Sequence, residues 1–200
     1  RLGAYALAML GRVNLFREKL DLAAEQMDAS IACAEKQHWL SFLPWPQALR
    51  GHVELARGHP ERAAPMLRQA FARACQIGDP CWEGLSARGL ALVAEAEGDT
   101  GRAFEVLADA RMRSNRYADP YVWLECFILD AQCELGRRHR HADTGTWVAT
   151  MQDLASRTGM RELATRALLH GAALGNDGDA VAASLIAAEV ESPALHRLLA

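Results

Sequence analysis

The sequence predicts an all-α fold built as a stack of antiparallel helix pairs, and three observations carry that prediction. The first is repetition. Alanines seven residues apart recur as Ala63/Ala70, Ala103/Ala110, Ala142/Ala149 and Ala180/Ala187. A glycine precedes each pair, Gly58, Gly98, Gly136 and Gly175, at intervals of 40, 38 and 39 residues. A period in this range marks helical hairpins that cannot bury their apolar faces alone and must stack. The second is composition: 50% of the 200 residues are hydrophobic and only 6% aromatic, with alanine and leucine, strong helix formers, in the majority. The third is periodicity, since apolar residues recur at helical spacing and alternating β-branched runs are absent. The expected architecture is an α-α superhelix, right-handed, of about five antiparallel helix pairs and a short C-terminal helix, forming one solenoid domain over 1–200.

The first pair spans 2–38, with helices over 2–15 and 18–36. Leu20, Ala23, Ala24, Met27 and Ile31 share one face of the second helix, at the spacing of a half-buried helix. Gly11 lies 40 residues before Gly51, which keeps this pair in phase with the next. The second pair spans 44–77. Pro44 and Pro46 open its first helix, where a missing N–H is tolerated. Gly58-His59-Pro60-Glu61 then turns the chain, glycine ending one helix and proline starting the other.

The third pair, 79–116, opens with Asp79 as N-cap and Pro80 at the first helical position, and turns at Gly98-Asp99-Thr100-Gly101. The fourth, 119–158, repeats the opening as Asp119-Pro120. Its turn, Gly136 to His141, is one residue longer and strongly basic. The fifth pair spans 160–190, and Ser192-Pro193 starts a capping helix over 193–199. The alanines recur because small side chains let two helices approach to about 8–9 Å. Positions seven apart lie two turns apart on one face. Leu67 and Leu107 fill the space between them.

At these residues the chain resembles the tetratricopeptide repeat. That motif places glycine at the turn, alanine five residues on, a bulky residue four later and alanine three later. Gly58, Ala63, Leu67 and Ala70 match it, as do Gly98, Ala103, Leu107 and Ala110. The fifth pair keeps Gly175, Ala180 and Ala187 with Ser184 at the bulky position. The fourth pair departs by one inserted residue, and the first has Glu18 for glycine and Ser30 for the last alanine. The period is nearer 40 than the motif's roughly 34. Such longer repeats are similar to those of large bacterial LuxR-type, ATP-dependent (MalT-like) transcription regulators. There they lie between nucleotide-binding and DNA-binding domains and sense effectors or partners.

The resemblance implies a non-catalytic sensor or interaction module of a regulator. It implies a protein or peptide partner, other domains of the same chain, or a small-molecule effector, with no cofactor. It also implies that the first helix of each pair lines a binding groove. Its inward positions fall on Tyr5, Arg12, Trp45, His52, Arg88, Glu95, Trp123, Cys126 and Asp130. Trp45, Trp82 and Trp123 each follow a proline near the start of such a helix, at intervals of 37 and 41. They serve either as packing anchors between consecutive pairs or as an aromatic ladder along the groove.

Composition narrows function further. A net charge of −3 and a pI of about 6.2 give no basic face for nucleic acid. No apolar run reaches the ~18 residues that suggest a membrane span, and no signal peptide opens the chain. The expected location is cytoplasmic. A start without Met, already inside a helix, suggests a fragment of a longer protein. Five cysteines with no CxxC pair (Cys33, Cys75, Cys81, Cys126 and Cys133) argue against a disulfide framework and read as buried small hydrophobes.

Other constellations are weaker. Gly98-Asp99-Thr100-Gly101-Arg102 follows a helix and lacks the phosphate-loop pattern, so it reads as a turn. Arg137, Arg138, His139, Arg140 and His141 form a basic loop that reads as solvated or as an anion or partner contact; its cations would repel a metal. Cys126, Asp130 and Cys133 lack the further ligands a metal needs. No nucleophile–base set is legible, which leaves an enzyme on a helical solenoid as a remote alternative.

Overall fold

The computed structural model describes residues 1–199, in which all regular secondary structure is α-helical. The helices are α1 (Leu2–Phe16), α2 (Leu20–Lys36), α3 (Pro44–Ala56), α4 (Pro60–Ile77), α5 (Pro80–Ala96), α6 (Thr100–Ser114), α7 (Val122–His139), α8 (Thr144–Thr158), α9 (Arg161–Ala173), α10 (Asp179–Ala187) and α11 (Pro193–Leu199). The chain divides into two compact units, the first Arg1–Asp119 and the second beginning at Pro120. Within each unit, helices pack mainly against their sequence neighbours. Short connections make those neighbours antiparallel.

In the first unit the repeat is regular. Ala23, Met27, Ser30 and Ala34 of α2 are fully buried. So are Ala63, Leu67, Ala70 and Ala74 of α4, and Ala103, Leu107, Ala110 and Ser114 of α6. These three sets are spaced 40 residues apart. Each bulky member needs room on the paired helix. A Cβ on Gly51 would stand 2.7 Å from Leu67, and one on Gly11 would stand 2.8 Å from Met27.

The first pair obeys this rule with other residues. Glu18 holds φ +55°, the left-handed conformation that Gly58 (+78°) and Gly98 (+89°) supply later. Ser30 replaces alanine and satisfies its hydroxyl by donating to the Ala4 carbonyl at 2.7 Å. Asp79 caps α5 as expected, its carboxylate accepting from the Cys81 and Trp82 amides.

The second unit departs from the expected register in four places. Helix α7 runs through Gly136 to His139 and ends at Arg140, which takes the left-handed conformation at φ +55°. Gly136 is therefore a packing glycine: a Cβ there would stand 2.5 Å from Thr144 Oγ1. The turn moves downstream, and the buried face of α8 becomes Thr144, Val148, Met151 and Ala155, while Ala142 and Ala149 are exposed. In the fifth pair a second left-handed glycine, Gly178 (φ +101°), follows Gly175 (φ +91°). Ala183 lies five residues after Gly178, as Ala63 does after Gly58, so Ala183 and Ala187 are buried and Ala180 is exposed. Lastly, Asp119-Pro120 does not open α7. The helix starts at Val122 with Tyr121 as its N-cap, and the Tyr121 carbonyl accepts the Leu124 and Glu125 amides.

The core of the second unit gathers Cys126, Leu129, Cys133, Val148, Met151, Ala155, Leu163 and Ala167. Helix α11 packs against α9 and α10. The cysteine expectation holds for Cys126 and Cys133; Cys33 and Cys81 are partly exposed and Cys75 is exposed.

Candidate functional site

In the first unit, the positions expected to line a groove are largely filled by one another. Trp45 is buried, with its ring stacked on Trp82 at 5.4 Å. Phe42 meets Trp45 edge-on at 5.5 Å, and Tyr5 lies tilted against Trp45 at 5.4 Å with half its surface exposed. Here the two tryptophans act as packing anchors between consecutive pairs. His52 and Arg88 are buried too. The His52 Nε2–H donates to the Leu85 carbonyl at 3.1 Å, and Nδ1 accepts from the Arg88 guanidinium at 3.3 Å. Burial, with the Arg88 charge adding to it, lowers the His52 pKa to about 3, so the imidazole is neutral. Arg12 and Glu95 stay half-buried.

A second buried charge lies on the same helix as His52. Glu54 is buried on α3 and bound by Arg50 (2.5 Å) and Arg57 (2.8 Å). Burial alone would raise its pKa, but the hydrogen bonds from the two guanidiniums outweigh it and hold the carboxyl below its ordinary value.

In the second unit the inner helices leave an open cleft of about 420 Å³. One wall is Asp130, Glu134 and Arg137 of α7, and the other is Arg166 and His170 of α9, with Leu198 of α11 at the edge. Each set falls on one helix face because its members are three, four or seven residues apart. The residues form one connected network. The Arg137 Nε–H donates to His170 Nδ1 at 3.2 Å, and the His170 Nε2–H donates to Asp130 Oδ1 at 3.0 Å. Glu134 accepts from Arg137 (2.7 Å) and Arg138 (3.2 Å). Arg166 Nη1 lies 4.0 Å from Asp130 Oδ2. Burial pushes the Glu134 carboxyl up, but Arg137 first, then Arg138 and His170, bring it below its ordinary value. Opposite charges thus alternate along a cleft whose deeper members, Asp130 and His170, are mostly buried and whose outer members reach solvent.

Of the expected groove residues in this unit, Asp130 lies in the cleft. Cys126 does not face it. It is fully buried in the core, and burial pushes its thiol pKa up to about 12. Trp123 stacks on Phe127 at 5.2 Å and meets Tyr121 at 5.6 Å. The basic loop is also corrected. Arg137, Arg138 and His139 belong to the last turn of α7, and Glu134 pairs with both arginines. Arg140 and His141 remain in the turn, with His141 stacked on Trp147 at 4.6 Å.

Glu134, Arg166 and His170 were not expected from the sequence. The available signal was the repeat itself, since His170 lies 40 residues after Asp130. Among the described residues, no helix is long and apolar enough to cross a membrane, and no group of three or more His, Cys, Asp or Glu is placed to hold a metal ion. No protein-family model matches this chain, and no curated protein matches it.

Proposed function

We propose that the protein is a non-catalytic binding module that recognises a partner protein or peptide through the α7–α9 cleft. The observation that carries this reading is the network of Asp130, Glu134, Arg137, Arg166 and His170. Its fixed, alternating charges select a partner by electrostatic complementarity. The resemblance of the repeat to LuxR-type, MalT-like regulators supports a role as the sensor part of a cytoplasmic transcription regulator.

A peptide-display selection on the purified chain, counter-screened on Arg166→Glu and Asp130→Lys, tests the cleft. Enriched peptides should lose binding to both variants while the variants keep their helical melting transition. Peptides that ignore both substitutions would sink this reading. Finding nucleotide-binding and helix-turn-helix motifs in the flanking coding sequence would support the regulator role, and their absence there would count against it.

The cleft also favours a second reading, a small-molecule effector site, because 420 Å³ lies within the range of such sites. A metabolite that raises the melting temperature of the native chain, but not that of Arg166→Glu, would select it over peptide binding.

A further inference from the structure

The second unit carries another cleft, on the side of α8 and α10. It measures about 690 Å³, with α9 as its floor. Helix α10 is mostly apolar, its polar residues being Asp179 and Ser184. Ala183 and Ala187 are fully buried inward, yet Val181 is 66% exposed and Leu185 69% exposed. Two large apolar side chains exposed one turn apart on the same helix mark a surface suited to contact with another element. The walls repeat a helix-packing pattern. Ala149, Gln152, Asp153 and Ser156 line α8 at i, i+3, i+4, i+7, and Leu185, Ile186 and Glu189 line the other wall. Small residues at Ala149 and Ser156 leave room for another backbone to approach. The α8 stretch from Ala149 to Ser156 is roughly 10 Å long, about two helical turns.

Charge identifies what fits. The lining holds three carboxylates, Asp153, Asp179 and Glu189, against one cation, Arg161. Arg161 is engaged by Glu189 at 3.1 Å, and Asp153 pairs with Arg157 at 2.8 Å. Asp179 differs. Its polar side-chain contacts among the described residues are neutral amides, Gln152 at 2.9 Å and Asn176 at 3.1 Å. An apolar trough whose lining includes a carboxylate with no cationic partner suits an occupant with an apolar stripe and a cation beside it.

We propose that the α8–α10 cleft docks a basic amphipathic helix of a partner protein, its apolar stripe against Leu185 and Ile186 and a lysine or arginine against Asp179. The surface is separate from the α7–α9 cleft, so either assignment can fail alone.

The test uses the full chain and a stapled leucine–lysine amphipathic helix of roughly 15 residues, a length at which an unstapled helix is only marginal. Fluorescence anisotropy should show saturable binding that weakens with salt. Leu185→Ser and Ala149→Arg, both at exposed positions, should each weaken it at least tenfold. Arg166→Glu in the other cleft should leave it unchanged. The matching leucine–glutamate helix should bind at least tenfold more weakly. Equal binding of the two helices, or binding that ignores both cleft substitutions, would overturn the proposal. So would concentration-dependent dimerisation abolished by Leu185→Ser, which would make a second copy the occupant. Should either variant lose its helical circular dichroism, Asp179→Asn supplies the decision, because it removes the rim charge and leaves the apolar lining intact.

Discussion

The first and second units use the same helix pair and close it differently. Through α1–α6 the left-handed residue, the small residues and the bulky residue keep one register, 40 residues apart, even where Glu18 and Ser30 replace glycine and alanine. The inner face there is occupied by stacked aromatics and by His52 and Arg88. In the second unit the left-handed residues move to Arg140 and Gly178, and the buried faces of α8 and α10 move with them. Both clefts described above lie in that unit. The two histidines sharpen the contrast. Each accepts from an arginine on Nδ1, but His52 donates to a backbone carbonyl in the core, and His170 donates to a carboxylate at a cleft wall.

The largest expected effect separates a closed position from an open one. Leu67→Ala should cost about 3–5 kcal/mol in urea denaturation, because Leu67 is fully buried against Gly51 and Gly89. Leu185→Ala, on the exposed side of α10, should stay within about 0.5 kcal/mol of wild type. Equal costs would end the distinction between the two units. Next, Ala103→Leu should destabilise by about 1–3 kcal/mol through overpacking, whereas Ala142→Leu should be nearly silent. A large cost at Ala142 would restore the register expected from the sequence.

A pH effect of similar size belongs to the first unit. The folded pKa of His52, about 3, lies below its ordinary 6.5. Between those values the unfolded chain binds a proton that the folded chain excludes, so stability falls as pH drops. From pH 6.5 to about pH 5 the loss is about 2 kcal/mol. His52→Gln should flatten the stability profile across that window. A variant profile parallel to wild type would show that His52 is not the titrating group. The smallest effects concern the turns. Glu18→Gly and Arg140→Gly relieve left-handed strain and should each stabilise by about 0.5–1 kcal/mol, read as a rise in Tm. Losses at both positions would mean that their side chains matter more than their backbone conformation.

The helices were legible in the sequence because the packing code is local: turn, small, bulky, small. Asp79, Gly58 and Gly98 announced their own roles. Gly136 misled because a glycine can end a helix or let one pack closely, and the sequence does not distinguish the two. Arg140 gave no compositional sign of taking the left-handed turn. The cleft was legible at Asp130 and, through the basic run, at Arg137. Its partners Arg166 and His170 come from the next helix pair, and only the repeat interval links them to Asp130. Cys126 shares a helix face with Asp130 one turn away, but it is packed into the core with residues of α8 and α9, which spacing along one helix does not reveal.

The burial of Cys126 and Cys133 has a kinetic consequence. The thiolate is the nucleophile that attacks an alkylating reagent, and Cys126 combines full burial with a pKa raised to about 12. Cys75 stands exposed on the other unit. Under native conditions a maleimide should therefore modify exposed Cys75 first, slowed by a thiol pKa that burial and Glu83 push up, and reach Cys126 only when α7, α8 and α9 transiently separate. The chain carries its own stopwatch for that opening, with a built-in reference for reagent strength.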